Sequence, residues 1–259
     1  MFRFAANLSM MYADLDFISR FGCAARDGFR GVEYLFPYAY PKEQLAEALS
    51  KSKLKQVLHN LPAGDWDTGD RGIASNPDRA EEFKEGVDIA IEYALALDCQ
   101  QLNCLVGKTP TNIPFTEAYD TAIDNLKFAA RRLAEHKINL LIEPLNTYDI
   151  PGFFPNKSIQ ALDLIAAVAA QNVFMQYDVY HMQIMEGNLA STIEKHLRHI
   201  LHIQIADFPG RHEPGTGEIR FDFLFQHLNK IGYQGWIGCE YHPLTETRHS
   251  FDWMPPGRF

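Results

Sequence analysis

One rhythm runs the length of this chain. A short apolar, β-rich run is followed by a loop, then an amphipathic stretch, then another apolar run. The apolar runs lie near residues 3–8, 31–36, 54–60, 100–106, 138–143, 173–178, 199–205 and 235–240. Helical spacing of apolar residues fills the intervals near 14–27, 41–52, 79–98, 115–136, 157–170, 188–196 and 221–231. In the last of these Phe221, Leu224, Phe225 and Leu228 recur on one helical face. Strands alternating with helices of this length predict a parallel sheet with helical crossovers. Eight such units in 259 residues fit a closed (β/α)8 TIM barrel of the α/β class, which needs about 250 residues. An open doubly wound sheet is the alternative, weakened by the missing GxGxxG after the first strand.

Nothing interrupts the rhythm. No low-complexity segment or linker divides the chain, so one domain is expected over 1–259, with 241–259 as a C-terminal tail. Two helix-to-strand joints resemble each other, Asp27-Gly28-Phe29-Arg30-Gly31 and Ile231-Gly232-Tyr233-Gln234-Gly235. In each, a glycine just past the helix is a C-cap signal. Aromatic residues in the tail, Phe251, Trp253 and Phe259, could dock on a second copy or seal the chain's own barrel.

Charge and composition narrow the partners. The net charge is −9, with no basic cluster, which removes the electrostatic footing for nucleic acid or an anionic membrane. No run of 18 apolar residues suggests a membrane span. The first ten residues lack a basic segment ahead of their apolar ones and read as the start of a strand. Cys23, Cys99, Cys104 and Cys239 form no CxxC pair and read as reduced thiols of a cytoplasmic protein.

The polar residues at the ends of the apolar runs carry the functional information. Asn7, Glu33, His59-Asn60, Asn103, Glu143, Asp178, Gln204 and Glu240 sit at or near the ends of strands one to eight. In a barrel all C-terminal strand ends converge on one rim, where the active site lies. Any one of them could merely end a strand. Glu143, Asp178, Gln204 and Glu240 form a stronger set, because strands five to eight are neighbours. Two unit charges at 4 Å repel by roughly 4 kcal/mol at an effective dielectric near 20, so protons or a cation should offset three carboxylates here. Oxygen ligands favour a hard divalent ion, Mg2+ or Mn2+, over Zn2+. His181, three residues beyond Asp178, and Arg211, in the loop after strand seven, are candidates for binding a substrate oxygen and a substrate carboxylate. His59 and Lys108 follow strands three and four and could line the same cavity, although a lysine at such a position is more often on the surface. Two glutamates with a cation between them suit proton transfer at a carbon next to a carbonyl. That chemistry is aldose–ketose or keto-acid isomerisation, or epimerisation.

At this point the residues resemble the hydroxypyruvate isomerase family, a branch of the xylose-isomerase-like barrels. The resemblance rests on Phe4 to Met10, Leu58-His59-Asn60-Leu61-Pro62-Ala63-Gly64-Asp65-Trp66, Asn103 to Pro110, Ile142-Glu143-Pro144-Leu145-Asn146, Asp178 to Gln183, Glu213 to Ile219 and Gly238-Cys239-Glu240-Tyr241. It spans essentially the whole chain. It implies interconversion of hydroxypyruvate and 2-hydroxy-3-oxopropanoate (tartronate semialdehyde). Positions matching Glu143 and Glu240 would be the proton donor and acceptor. Those matching Glu143, Asp178, Gln204 and Glu240 would hold a divalent metal. Glutamine at 204, where sugar epimerases of the superfamily often have histidine, and His242 after Tyr241, where lysine is expected, are departures. A four-carbon 2-oxo sugar acid (2-oxo-tetronate) is the nearest alternative substrate. A zinc-dependent phosphoesterase of the same superfamily is a remote one.

Overall fold

The computed structural model describes residues 2–254. Eight parallel strands close into a barrel in the order of the sequence. They are β1 (Arg3–Asn7), β2 (Gly31–Glu33), β3 (Lys55–Asn60), β4 (Gln101–Cys104), β5 (Asn139–Ile142), β6 (Val173–Asp178), β7 (Ile200–Ile205) and β8 (Trp236–Cys239). Each lies within one of the eight expected runs. The helices are α1 (Phe17–Arg26), α2 (Lys42–Ser52), α3 (Ala80–Ala96), α4 (Phe115–Ala134), α5 (Ser158–Val168), α6 (Val179–Met185), α7 (Leu189–His196) and α8 (Phe221–Lys230). Two of them, α6 and α7, share the β6–β7 connection. Among the described residues no α-helix follows β8. No described helix is long and apolar enough to cross a membrane.

The helices form because their apolar residues fall on one stripe. Along α4, Ala118, Ala122, Leu126, Ala129 and Leu133 are buried, and the small residues let the helix lie close to the barrel. α1 starts where the Asp16 carboxylate accepts a 3.0 Å hydrogen bond from Ser19 N–H. The two similar joints are built alike. Gly28 and Gly232 both have positive φ, 100° and 76°. In each case the next residue closes the helix, with Phe29 N–H bonding Ala24 O and Tyr233 N–H bonding Leu228 O, both at 3.0 Å.

Two cores result. The larger lies between strands and helices and includes Cys239. The barrel interior begins with a small apolar plug of Ala5, Val57, Leu58 and Leu141, backed by Phe174, Leu201 and Trp236. Above the plug the interior turns polar, which is unusual for a barrel centre and leads directly to the site.

The tail seals its own barrel. Phe251 packs on Phe29 at 5.5 Å, and Trp253 packs on Phe4 at 5.4 Å and stacks on Phe225 at 5.6 Å. Tyr12 N–H donates to Thr247 Oγ1 at 2.8 Å, fixing the tail beside the β1–α1 loop. Phe259 lies outside the described residues.

Candidate active site

Strand polarity sets which side chains meet. Inward positions at the C-terminal ends of the strands bring Asn7, Asn60, Asn103, Glu143, Asp178, Gln204 and Glu240 to one rim, and none of them is more than 4% exposed. His181 reaches the same place from α6, whose first turn is capped by the Asp178 carboxylate accepting from Tyr180 N–H at 2.7 Å. Arg211 arrives from the β7–α8 loop.

That loop is held by a residue the sequence did not single out. Asp207 is fully buried and accepts hydrogen bonds from the backbone N–H groups of Phe208, Gly215, Gly217 and Ile219, all between 2.8 and 3.0 Å. Hydrogen bonds to a charged group contribute roughly 1.5–3 kcal/mol each, so this carboxylate fixes the Pro-Gly-Thr-Gly turn. It thereby fixes Arg211, whose φ of 57° is left-handed. The acidic residue just before a glycine-rich turn was the available signal.

Arg211 Nη2 donates to Glu240 Oε2 at 2.6 Å and lies 3.6 Å from Asp178 Oδ2. Its guanidinium carbon lies 5.0 Å from the centre of the Tyr180 ring. Its buried Nε has no hydrogen-bond partner among the described residues, which leaves one donor for a ligand oxygen. The His181 tautomer follows from its neighbours. Asn146 backbone N–H donates to Nδ1 at 3.2 Å, so a neutral ring carries its proton on Nε2. Burial, with Arg211 beside it, pushes the imidazole pKa well below its usual value and keeps the ring neutral. His181 therefore offers an N–H donor, 3.6 Å from Asp178 Oδ2.

The three carboxyls oppose one another's ionisation. Burial pushes Glu143 up to about 8, and the nearby Asp178 adds to the rise. Burial also raises Asp178 and Glu240, while Arg211 opposes the rise in both. Glu143 Oε2 is oriented by Asn103 Nδ2 at 2.7 Å, and that amide also donates to Asn60 Oδ1 at 3.1 Å.

Glu143, Asp178 and His181 bring potential ligand atoms within 4.8 Å of one another, but with Nδ1 accepting from Asn146 and Nε2 protonated the imidazole has no free lone pair, which leaves the two carboxyls to face a cation. Asp178 Oδ2 is buried without a hydrogen-bond partner, so its lone pairs suit a cation or a proton. The carboxylates therefore fit a hard divalent ion. Gln204 differs from expectation. Its Oε1 is taken by Gln176 Nε2 at 2.5 Å, and its Nε2 faces Glu33 and Glu240. Turning the amide over would set its oxygen against two carboxylate oxygens, so Gln204 is a donor here and not an oxygen ligand.

Two further candidates are corrected. His59 points outward into the helix layer, with its ring 6.2 Å from that of Tyr38. Burial drives its pKa down to about 3. Its chain neighbour Asn60 takes the inward position, because β2 and β3 shift register between Val32 and Glu33. Lys108 is exposed, and its Nζ donates to Gly69 O at 2.9 Å, so it ties two loops together instead of entering the cavity. A cavity of about 460 Å³ at the opposite mouth of the barrel, among Arg3, Lys55, Gln101 and Trp236, takes no part in this site.

Sequence comparison agrees with the geometry. The xylose isomerase-like TIM barrel family matches residues 21–256. The chain belongs to that family. It is 52% identical to a hydroxypyruvate isomerase of Escherichia coli K12 over 258 residues, covering 100% of both chains. It is 43% identical to a 2-oxo-tetronate isomerase of Pectobacterium atrosepticum over 254 residues, covering 98% of this chain and 97% of the relative. Among solved structures, a Brucella melitensis protein described as an AP endonuclease, family 2, superposes with a TM-score of 0.95 at 45% identity, covering 98% of each chain.

Proposed function

We propose that this protein is an isomerase that interconverts hydroxypyruvate and 2-hydroxy-3-oxopropanoate, with Glu143 and Glu240 as the acid/base pair. The observation that carries the reading is the pair of buried glutamates held at one rim, one against a guanidinium and the other pushed up to about 8. The full-length similarity to a hydroxypyruvate isomerase supports it.

Glu240 takes the proton from C3 of hydroxypyruvate. Burial raises its pKa, and its contact with Arg211 and two amide donors opposes that rise in favour of the charged form. The resulting enediolate spans C2 and C3. Glu143 returns a proton at C2, while a proton passes from the C3 oxygen to the C2 oxygen. The neutral His181 Nε2–H and the free Arg211 Nε–H supply donors for the enediolate and carboxylate oxygens. Glu143 and Asp178 would hold a divalent cation, Mg2+ or Mn2+, which would supply charge stabilisation for the developing oxyanion.

A phosphoesterase reading would need a basic cleft and several histidine ligands. The candidate ligand group here contains a single imidazole beside two carboxyls, in a chain of net charge −9. Steady-state kinetics on hydroxypyruvate and 2-oxo-tetronate, each after EDTA treatment and after added Mg2+ or Mn2+, test the proposal. Turnover of hydroxypyruvate with the higher kcat/KM supports it. A preference for 2-oxo-tetronate would move the substrate to four carbons, in line with the second relative.

A further inference from the structure

Below the rim lies a polar layer that the reaction just described does not use. We propose that Glu33 and His202 are positioning residues that hold Glu240 so that only its Oε2 exchanges a proton with substrate. This rests on the assignment of Glu240 as an acid/base group.

Two primary amides link the two carboxyls. Asn7 Nδ2 donates to Glu33 Oε1 at 3.1 Å and to Glu240 Oε1 at 3.0 Å. Gln204 Nε2 donates to the same two oxygens at 2.8 and 3.1 Å. Each amide nitrogen carries two protons, so each divides them between the carboxyls. Neither amide can turn over. Ser9 backbone N–H occupies Asn7 Oδ1 at 3.1 Å, and Gln176 Nε2 occupies Gln204 Oε1 at 2.5 Å. Glu240 Oε1 therefore faces two fixed donors and has no room for a proton of its own. Oε2, on the side of Arg211, is the oxygen left for proton transfer.

Glu33 is fixed in turn from beneath. Its Oε2 lies 2.7 Å from His202 Nε2, and His202 Nδ1 lies 3.4 Å from Gln101 Nε2. With Gln101 donating to Nδ1, the neutral ring has its proton on Nε2, pointed at Glu33. His202 is fully buried and Glu33 is 1% exposed. Gly238 leaves the space for this carboxyl, since a Cβ there would lie 2.3 Å from Glu33 Oε1. The chain has thus placed a glycine opposite a buried acid that reaches Glu240 through Asn7 and Gln204, and a merely apolar filling would need neither. Removing the His202 donor releases Glu33 to rotate, and the amides that hold Glu240 follow it.

The test compares His202→Leu, which removes the donor, with His202→Gln, whose Nε2 reaches a similar place. The expected result is a 10- to 100-fold loss of kcat in His202→Leu with KM within threefold of wild type, and recovery to within about fivefold in His202→Gln. Glu33→Leu combined with His202→Leu should be no worse than the poorer single variant, because the pair acts as a unit. Should the leucine variants fail to fold, Glu33→Gln keeps shape and the Oε1 acceptor, and is expected to lose at least fivefold in kcat at unchanged KM. Folded variants with kcat within twofold of wild type, or losses that only track the folded fraction in the circular-dichroism melt, would overturn the proposal. A wild type inactive on both keto acids overturns the isomerase reading alone. The positioning claim is then read from the Glu240 carboxyl carbon resonance in carbon-13-labelled protein, assigned by its absence in Glu240→Gln. A shift between wild type and His202→Leu supports it, and coincident resonances overturn it.

Discussion

Glu143→Gln should make the ligand-free protein more stable while destroying its activity. Glu143 is buried, and its pKa is pushed from the usual 4.5 up to about 8. Between those values the folded chain holds a proton that the unfolded chain has released. Folding therefore takes up a proton, and stability falls as pH rises from 4.5 through 8. Below 4.5 both states are protonated and nothing is lost. Above 8 both are ionised and the loss is complete. At 1.36 kcal/mol per pH unit the full loss is about 5 kcal/mol. A glutamine carries no charge at any pH. Its carbonyl can still accept from Asn103. Allowing for the cost of burying the amide, Glu143→Gln should gain about 2–5 kcal/mol at pH 8, or roughly 4–10 °C in melting temperature. It should gain almost nothing at pH 4.5. Calorimetric melts of EDTA-treated wild type and variant across pH 4.5–9 provide the assay. A variant that melts at or below wild type at pH 8, or one whose advantage does not grow with pH, would refute the reasoning.

Glu240→Gln should lower kcat by about 10²–10⁴ with an intact circular-dichroism melt, since general acid/base groups contribute that much. Near-normal turnover would remove Glu240 from the chemistry. His59→Leu should leave kcat and KM within twofold and hold or slightly raise the melting temperature, because an outward-facing buried imidazole without partners is replaced by an apolar side chain. A large kinetic loss would place His59 at the site after all. Gly238→Ala should cost about 1–3 kcal/mol by forcing a Cβ against the Glu33 carboxyl, and should lower kcat more than it raises KM. Chemical denaturation together with steady-state kinetics would show both. Asp207→Ala should raise KM for the keto acid at least tenfold by freeing the Arg211 loop, and an unchanged KM would show that Arg211 is held by other contacts.

The architecture was legible because its signals are local. Eight apolar runs recur at regular spacing, and the strands fall inside them. Helix α6 was missed because it is only seven residues long, too short for an apolar period to show. At the site, Glu143, Asp178 and Glu240 stand out as acids that end apolar runs, and Arg211 and His181 stand out by following such runs. The choice between His59 and Asn60 was not legible. It depends on a register shift between β2 and β3, which is a property of two strands and not of either alone. The amide orientation of Gln204 depends on Gln176 and Glu33, which are distant in sequence. Gln176 and His202 did leave a trace, because each stands two residues before a rim residue, Asp178 and Gln204, on the same strand face.

The central claim is that two rim glutamates move a carbon-bound proton of a small keto acid. Proton NMR of the wild-type protein with hydroxypyruvate in D2O tests it most directly, with Glu143→Gln and Glu240→Gln run alongside. The expected result is tartronate semialdehyde carrying deuterium at C2 from wild type alone. No product from wild type, or an equal rate of deuterium-labelled product from both variants, would contradict the claim.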